Sequence, residues 1–175
     1  MKNKVILSVL AFVAWISTFA MMTMVDAANL STNLAWCTAN SWAINISYTE
    51  CQSLAYFFDE TNGNSWHASG NWFSNTDVTL WKGSDGTNIG NAITISWGHV
   101  ITLTLNDNYL RGSIQSGVIW LPYLSGLSIS QSFITGLNTS GLSALRSLDI
   151  GINGAMEADF THTTGLIYLN VYYNS

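Results

Sequence analysis

One spacing constrains this chain more than any other feature. The pattern L-x-x-L-x-L-x-x-N returns four times, as Val100-Leu103-Leu105-Asn108, Leu124-Leu127-Ile129-Ser132, Leu145-Leu148-Ile150-Asn153 and Leu166-Leu169-Val171-Asn174. Measured from Leu103, the steps to Leu127, Leu148 and Leu169 are 24, 21 and 21 residues. A period in the low twenties predicts a solenoid in which each turn contributes one strand and one return segment. The Leu-x-Leu pair puts two apolar side chains on one strand face. The Asn that follows can hydrogen-bond backbone groups where the chain leaves the strand.

The length of 175 residues fits one domain. Apolar residues make up 48% and there are eight tryptophans, enough for a substantial core. Charged residues are only 9%, against roughly 25% in an ordinary soluble domain, so the surface must be built from neutral polar groups. The net charge is −5, and Lys82, Arg111 and Arg146 are the only Lys or Arg beyond the N-terminal segment. Without a basic patch to neutralise phosphates, nucleic acid is excluded as a partner.

Residues 1–27 carry a targeting pattern. Lys2 and Lys4 precede an uncharged stretch from Val5 to Val25, and Val25-Asp26-Ala27 offers small residues at cleavage spacing, with Thr18-Phe19-Ala20 as a second candidate. The reading is a signal peptide. An uncleaved anchor is the alternative, since the stretch is long enough to span a bilayer, and it is the only route by which this chain would touch a membrane. The expected localisation is secreted or cell surface. Cys37 and Cys51 both lie in the exported part, so one disulfide is expected, with a pair of buried thiols as the alternative.

From Tyr48 to Glu60 the pattern is helical. Ser47-x-x-Glu50 and Thr49-x-x-Gln52 both read as capping boxes. Cys51, Leu54, Ala55 and Phe58 form one apolar stripe, and Asn62-Gly63 supplies a left-handed stop. Such a helix would close one end of a solenoid whose first strand edge and core otherwise meet water.

The four repeats resemble the leucine-rich repeat. The segment from Glu50-Cys51-Gln52-Ser53-Leu54 through Thr61-Asn62-Gly63-Asn64-Ser65-Trp66 and Gly70-Asn71-Trp72 to Trp81-Lys82-Gly83 looks like the N-terminal capping region ahead of secreted bacterial and plant-type members. The resemblance runs from about Cys37 to the end. It implies an α/β solenoid with parallel strands on a concave face and an N-terminal helical cap. The division would be a cap over 28–98 and about four repeats over 99–175, the last incomplete and the chain truncated at its C-terminus. There are departures. No cysteine sits beside Trp81-Lys82-Gly83, and Ser84 to Asn91 reads as an insertion. Asn108-x-Leu110-x-Gly112-x-Ile114 copies the plant-type return, with Gln115 in place of the usual Pro, and the later repeats are expected to lose that return.

Strand residues between the leucines point away from the core. Stacking aligns them in three columns: Thr102, Gly126, Ser147, Tyr168; Thr104, Ser128, Asp149, Asn170; and Asn106, Ser130, Gly151, Tyr172. The resemblance makes this concave face the expected site for a protein or glycan ligand, with Thr102, Thr104, Asn106, Ser128, Ser130, Ser147, Asp149, Tyr168, Asn170 and Tyr172 as its candidate residues. The bland alternative is a solvated sheet face, since aromatics of the kind found at binding hot spots gather only at Tyr168, Tyr172 and Tyr173.

Motifs for chemistry are missing. His67, His99 and His162 are scattered, with no metal-ligand spacing among them. There is no G-x-S-x-G turn, P-loop or dinucleotide glycine pattern. Asp59-Glu60-Thr61-Asn62-Gly63-Asn64 lacks the alternating acids and terminal Glu of a calcium loop and reads as the end of a helix. Glu157 and Asp159 read as a solvated acidic turn. Trp66, Trp72, Trp81 and Trp97 read as core, the alternative being a sugar-stacking platform. Asn29, Asn45 and Asn138 begin glycosylation motifs that matter only in a glycosylating host. The expectation is an exported, non-catalytic recognition module without metal or cofactor. Its rivals are a structural or adhesin-type spacer and, more remotely, an extracellular hydrolase.

Overall fold

Ser47 starts the main helix. Its hydroxyl accepts the Glu50 backbone N–H while the Glu50 carboxylate accepts the Ser47 N–H, a reciprocal capping box. The other candidate box, from Thr49 to Gln52, is not used. The computed structural model describes residues 29–115, 117–118, 120–154 and 157–174, so the signal-peptide reading lies outside the described residues. Two helices come first, α1 over 29–39 and α2 at Tyr48–Glu60. Cys37 and Cys51 join them in a disulfide. Closing so short a loop stabilises by about 3 kcal/mol on the chain-entropy account. Asn62, at φ 57°, makes the left-handed stop after α2.

Behind α2 lies an aromatic core. Trp66, Trp72 and Trp81 are buried; Trp66 and Trp72 pack on Phe58 and on each other, and Trp81 packs on Trp72, with centroids 4.8 to 5.6 Å apart. Each indole N–H has a backbone carbonyl to serve: Thr61 at 3.0 Å, Lys82 at 2.8 Å and Asn75 at 2.8 Å respectively. That satisfies the one polar group a buried tryptophan carries. Trp97 departs from the expectation of core. It stands at the tip of the hairpin that turns between Ser96 and His99, with φ 53°, and is 97% exposed. A two-residue hairpin turn ahead of Gly98 has no interior into which the ring could pack.

The strands follow as β1 (Lys82–Ser84), β2 (Ile89–Asn91), β3 (Ile93–Ser96), β4 (His99–Thr104), β5 (Arg111–Ile114), β6 (Gly126–Ser128), β7 (Phe133–Asn138), β8 (Ser147–Asp149), β9 (Glu157–Asp159) and β10 (Tyr168–Asn170). The suspected insertion at Ser84 to Asn91 is the turn and second strand of the β1–β2 hairpin. One sheet runs β10-β8-β6-β4-β3, parallel except for the antiparallel β3–β4 hairpin at the cap end. A second, parallel sheet runs β5-β7-β9. The architecture is a β-solenoid of about three turns preceded by two helices.

Three expectations change here. The later returns are not lost: Phe133–Asn138 and Glu157–Asp159 pair in parallel with their neighbours, which satisfies their backbone groups coil to coil. The described coils are therefore strand on both sides, and helix is confined to the cap, unlike an α/β repeat. The turns number about three although the pattern occurs four times. Leu103, Leu127 and Leu148 are fully buried between the two sheets, whereas Leu169 on β10 is 43% exposed, because no further coil covers it among the described residues.

The period is kept by small repeated devices. Between the sheets each coil folds over two consecutive turns, from Val118 O to Leu121 N and Leu121 O to Leu124 N. The same pair recurs through Thr139, Leu142 and Leu145 and through Phe160, Thr163 and Leu166. Four residues after Leu103, Leu127, Leu148 and Leu169 a non-glycine residue takes the left-handed conformation: Asp107, Gln131, Ile152 and Tyr173, with φ of 49°, 55°, 54° and 55°.

The pattern asparagines clamp coil to coil. Asn153 Nδ2 donates to the carbonyls of Ile129 and Ile150 at 3.0 and 2.9 Å, and its Oδ1 accepts the Ile134 N–H at 3.1 Å. Asn174 repeats this with Ile150, Val171 and the Asn153 N–H. Asn108 turns the same amide on the cap, donating to the Ala68 carbonyl and accepting the Ala68 N–H. Ser132 is too short for the task, and its buried hydroxyl has no partner among the described residues.

The cap docks through close backbone approach. A Cβ at Gly117 would lie 2.3 Å from the Phe57 Cα, and one at Gly112 would lie 2.3 Å from the Glu60 carbonyl oxygen. Glu60 Oε2 then accepts the N–H groups of Gln115 and Gly117 at 3.0 and 2.9 Å. That commitment fits the reading of residues 59–64 as a helix end rather than a calcium loop.

Candidate functional site

The open face of the five-stranded sheet carries two of the three expected columns in register, the third lying just past the strand ends. Thr102 pairs with Gly126, Ser147 and Tyr168 in turn, and Thr104 with Ser128, Asp149 and Asn170. All of these but Asn170, with Ser125, Leu127 and Arg146, surround an open groove of about 500 Å³ on that face. Gly126 has no side chain and leaves a notch whose nearest neighbour is the Thr102 methyl.

Much of the polar chemistry in the second and third columns is already engaged. Asn170 Nδ2 donates to Asp149 Oδ1 at 3.0 Å, and the same oxygen accepts the Gly151 N–H at 3.1 Å. Asn106 Oδ1 accepts the Ser128 hydroxyl and the Ser130 N–H, at 2.8 and 2.9 Å. Asn170 Oδ1 accepts the Tyr172 N–H. Ser130 is buried rather than presented. Thr102 shares a hydrogen bond with Thr94 across the hairpin. What remains open on this face is the exposed Ser147 and Tyr168, the half-buried Thr104, and the Tyr172–Tyr173 pair, whose rings lie 4.1 Å apart. The Tyr173 side chain, through its hydrogen bond, holds the Tyr172 phenol above its ordinary pKa.

Sequence reasoning passed over Arg146. It lies one residue before Ser147, outside the alternation that selected the columns, yet it lines the groove and is one of the few bases in the chain. Its Nη1 bonds the Leu145 carbonyl at 3.1 Å, and its own carbonyl accepts the N–H groups of Ile167 and Tyr168. The side chain also fills the space above Gly165. Its adjacency to a column position was the signal available.

Other predicted groups lie elsewhere. Glu157 and Asp159 sit on β9, beside a groove of about 440 Å³ on the opposite sheet with Ser113, Gln115 and Thr135. Asp159 is held below its ordinary pKa by the Thr161 backbone N–H. His99 meets the Glu50 carboxylate at 3.2 Å, His67 lies against Tyr109, and His162 contacts Thr161. The Asn45 amide donates to Asp77 and the Asn138 amide donates to the Gln115 carbonyl.

Together these features define a class, a disulfide-tied helical cap followed by a two-sided β-solenoid. No protein-family model, curated protein or solved structure matches the chain.

Proposed function

We propose that this chain is an exported leucine-rich-repeat module that recognises a protein or glycan through the open face of its five-stranded sheet, without catalysing a reaction. One observation carries the reading. Four parallel strands align small polar side chains in register over a groove of about 500 Å³ to which Asp149 and Arg146 bring charge, in a chain that carries few charges. Flat, rigid sheets that present aligned polar groups offer a preorganised surface, which lowers the ordering cost of binding. The Leu-x-Leu pairs buried between the sheets and the asparagine clamps support the repeat assignment. The Cys37–Cys51 disulfide supports export, because such bonds persist in oxidising compartments.

A structural spacer is the second reading, favoured by the internal pairing of Asp149 with Asn170. Alanine at Tyr168, Asp149 and Asn170 separates the two. Recognition predicts weakened retention on cell-wall or cell-surface material by all three, with an unchanged melting curve for Tyr168→Ala and only the small loss expected of their shared hydrogen bonds for the other two. Unchanged retention by all three variants sinks the recognition reading. Release of soluble sugars from common polysaccharides by the purified chain would instead make it a hydrolase.

A further inference from the structure

A second groove, of about 240 Å³, opens where the cap meets the first coil, away from the sheet columns. Ser47, Thr49 and Glu50 from the start of α2 form one wall, His99 from the start of β4 another, and Trp120 and Pro122 from the β5–β6 connection the third. Four of these residues bring polar groups and two bring flat apolar rings.

The walls are held rigid. Glu50 is 2% exposed, and both carboxylate oxygens are used. Oε1 accepts the Val100 N–H at 3.1 Å, and Oε2 accepts the Ser47 N–H and hydroxyl and meets His99 Nδ1 at 3.2 Å. A carboxylate only accepts, so Nδ1 carries the proton and Nε2 is left to accept when the ring is neutral. The far side of the imidazole is braced by Tyr123, with ring centroids 4.0 Å apart. Trp120 is braced edge-on by Tyr56, 6.1 Å away at 81°. Even so, Trp120 is 43% exposed and Tyr123 51% exposed.

The wall of this groove is mainly apolar, and among the residues that line it the Thr49 hydroxyl, His99 Nε2 and the Trp120 indole N–H, all in side chains that reach solvent at its rim, have no partner among the described residues. The one buried charge is fully hydrogen-bonded and asks nothing of a ligand. The fitting ligand is therefore neutral, has an apolar face for a ring and carries hydroxyls for the rim. The volume lies just below the roughly 300 Å³ at which drug-sized pockets begin, room for one six-membered ring. We infer that this groove is a saccharide subsite: Trp120 and Pro122 take the C–H face of a neutral sugar ring, and Thr49, His99 and the indole N–H take its hydroxyls. This site is separate from the sheet face and does not depend on it. The platform considered from the sequence used the wrong tryptophans, since three of those four are core.

The test titrates the whole chain with neutral hexasaccharides of glucose, xylose, mannose and N-acetylglucosamine, read by ligand-observed NMR and calorimetry. At least one binds the native chain. Trp120→Ala weakens it about tenfold, the upper range for loss of one aromatic contact. Thr49→Ala, an exposed change that leaves the helix cap intact, weakens it about threefold, as one neutral hydrogen bond would. Phe133→Ala, which removes an exposed ring on the other sheet, leaves it unchanged. Three outcomes overturn the inference: no hexasaccharide binding up to about 10 mM, a ligand concentration that reaches only very weak affinities; equal binding by native, Trp120→Ala and Thr49→Ala chains; or loss with Tyr168→Ala alone, which places the sugar on the sheet. Binding of an aromatic peptide in the absence of any sugar binding assigns the groove to a protein side chain and equally overturns it.

Discussion

Replacing Asn153 with serine would reproduce in the third coil what Ser132 already does in the second. The native amide is 8% exposed and makes three hydrogen bonds, to the carbonyls of Ile129 and Ile150 and from the N–H of Ile134. A serine hydroxyl keeps at most one of them. The Ile150 carbonyl still holds Asn174 Nδ2 at 2.9 Å, so its loss is partly covered. The Ile134 N–H and the Ile129 carbonyl have no such second side-chain partner among the described residues. Orphaning a buried donor costs roughly 1 to 3 kcal/mol and losing an ordinary hydrogen bond about 1, so the change should total about 3 kcal/mol. For a chain of this size that lowers the melting midpoint by roughly 6 to 12 °C. Urea unfolding followed by tryptophan emission measures it, with an unchanged slope showing that the folded state is otherwise intact. Ser132→Asn is the mirror test. The new amide would reach the carbonyls of Leu105 and Ile129, the same positions in its own register, and should add about 1 kcal/mol. A loss below about 1 kcal/mol at Asn153, together with no gain at Ser132, would falsify the clamp argument.

Three further outcomes follow from the same geometry. Gly117→Ala forces a methyl against the Phe57 backbone, which cannot rotate aside, and should cost about 2 to 3 kcal/mol or undock α2; near-ultraviolet circular dichroism reports the aromatic core, and an unaltered spectrum with unaltered stability would contradict the docking. Ile152 is β-branched, half-exposed and held at φ 54°, so Ile152→Asn should stabilise by about 1 kcal/mol, and a lowered urea midpoint would show instead that the isoleucine packs usefully. Asp77 is held below its ordinary pKa chiefly by the Thr79 hydroxyl, which outweighs the opposing effect of burial, with the Thr79 N–H and Asn45 adding smaller contributions. A depressed folded pKa contributes stability that is present above the unfolded value, about 3.8, and lost as pH falls through the folded one. Asp77→Asn should therefore flatten the acid limb of the stability curve below about pH 4, and an unchanged limb would assign that limb to other carboxylates.

The sequence was most legible where one residue type serves one geometric purpose. Leu-x-Leu fixed the strand register, Ser47 and Glu50 fixed the start of α2, and the two cysteines lay within reach of each other. The return strands were harder to read. Phe133–Asn138 buries Ile134 and Leu137 but not on strict alternation, because the pairing with β5 shifts register between Gly112 and Ser113. A bulge of that kind erases the period-two signal. Helix α1 was also passed over, although Leu30, Leu34 and Cys37 stand at helical spacing. Alternation put the columns of Thr102 and Thr104 in register, but it could not say that Ser130 is buried or that Asp149 and Asn170 bond each other. The junction groove was invisible, since Thr49, His99 and Trp120 are brought together only by folding the cap onto the first coil.

The joint at Asn108 has a consequence for how long such a molecule can be. The amide that grips a neighbouring coil at Asn153 and Asn174 grips the Ala68 backbone at Asn108, so the cap presents itself to the first coil as though it were another coil. Apart from the coil that carries Ser132, each coil then grips its upstream neighbour with the same amide whether that neighbour is cap or repeat. Length is thereby decoupled from the identity of the cap. A duplicated 21-residue unit taken between Leu127 and Leu148 would lengthen the sheet by one strand and leave both of its joints chemically familiar.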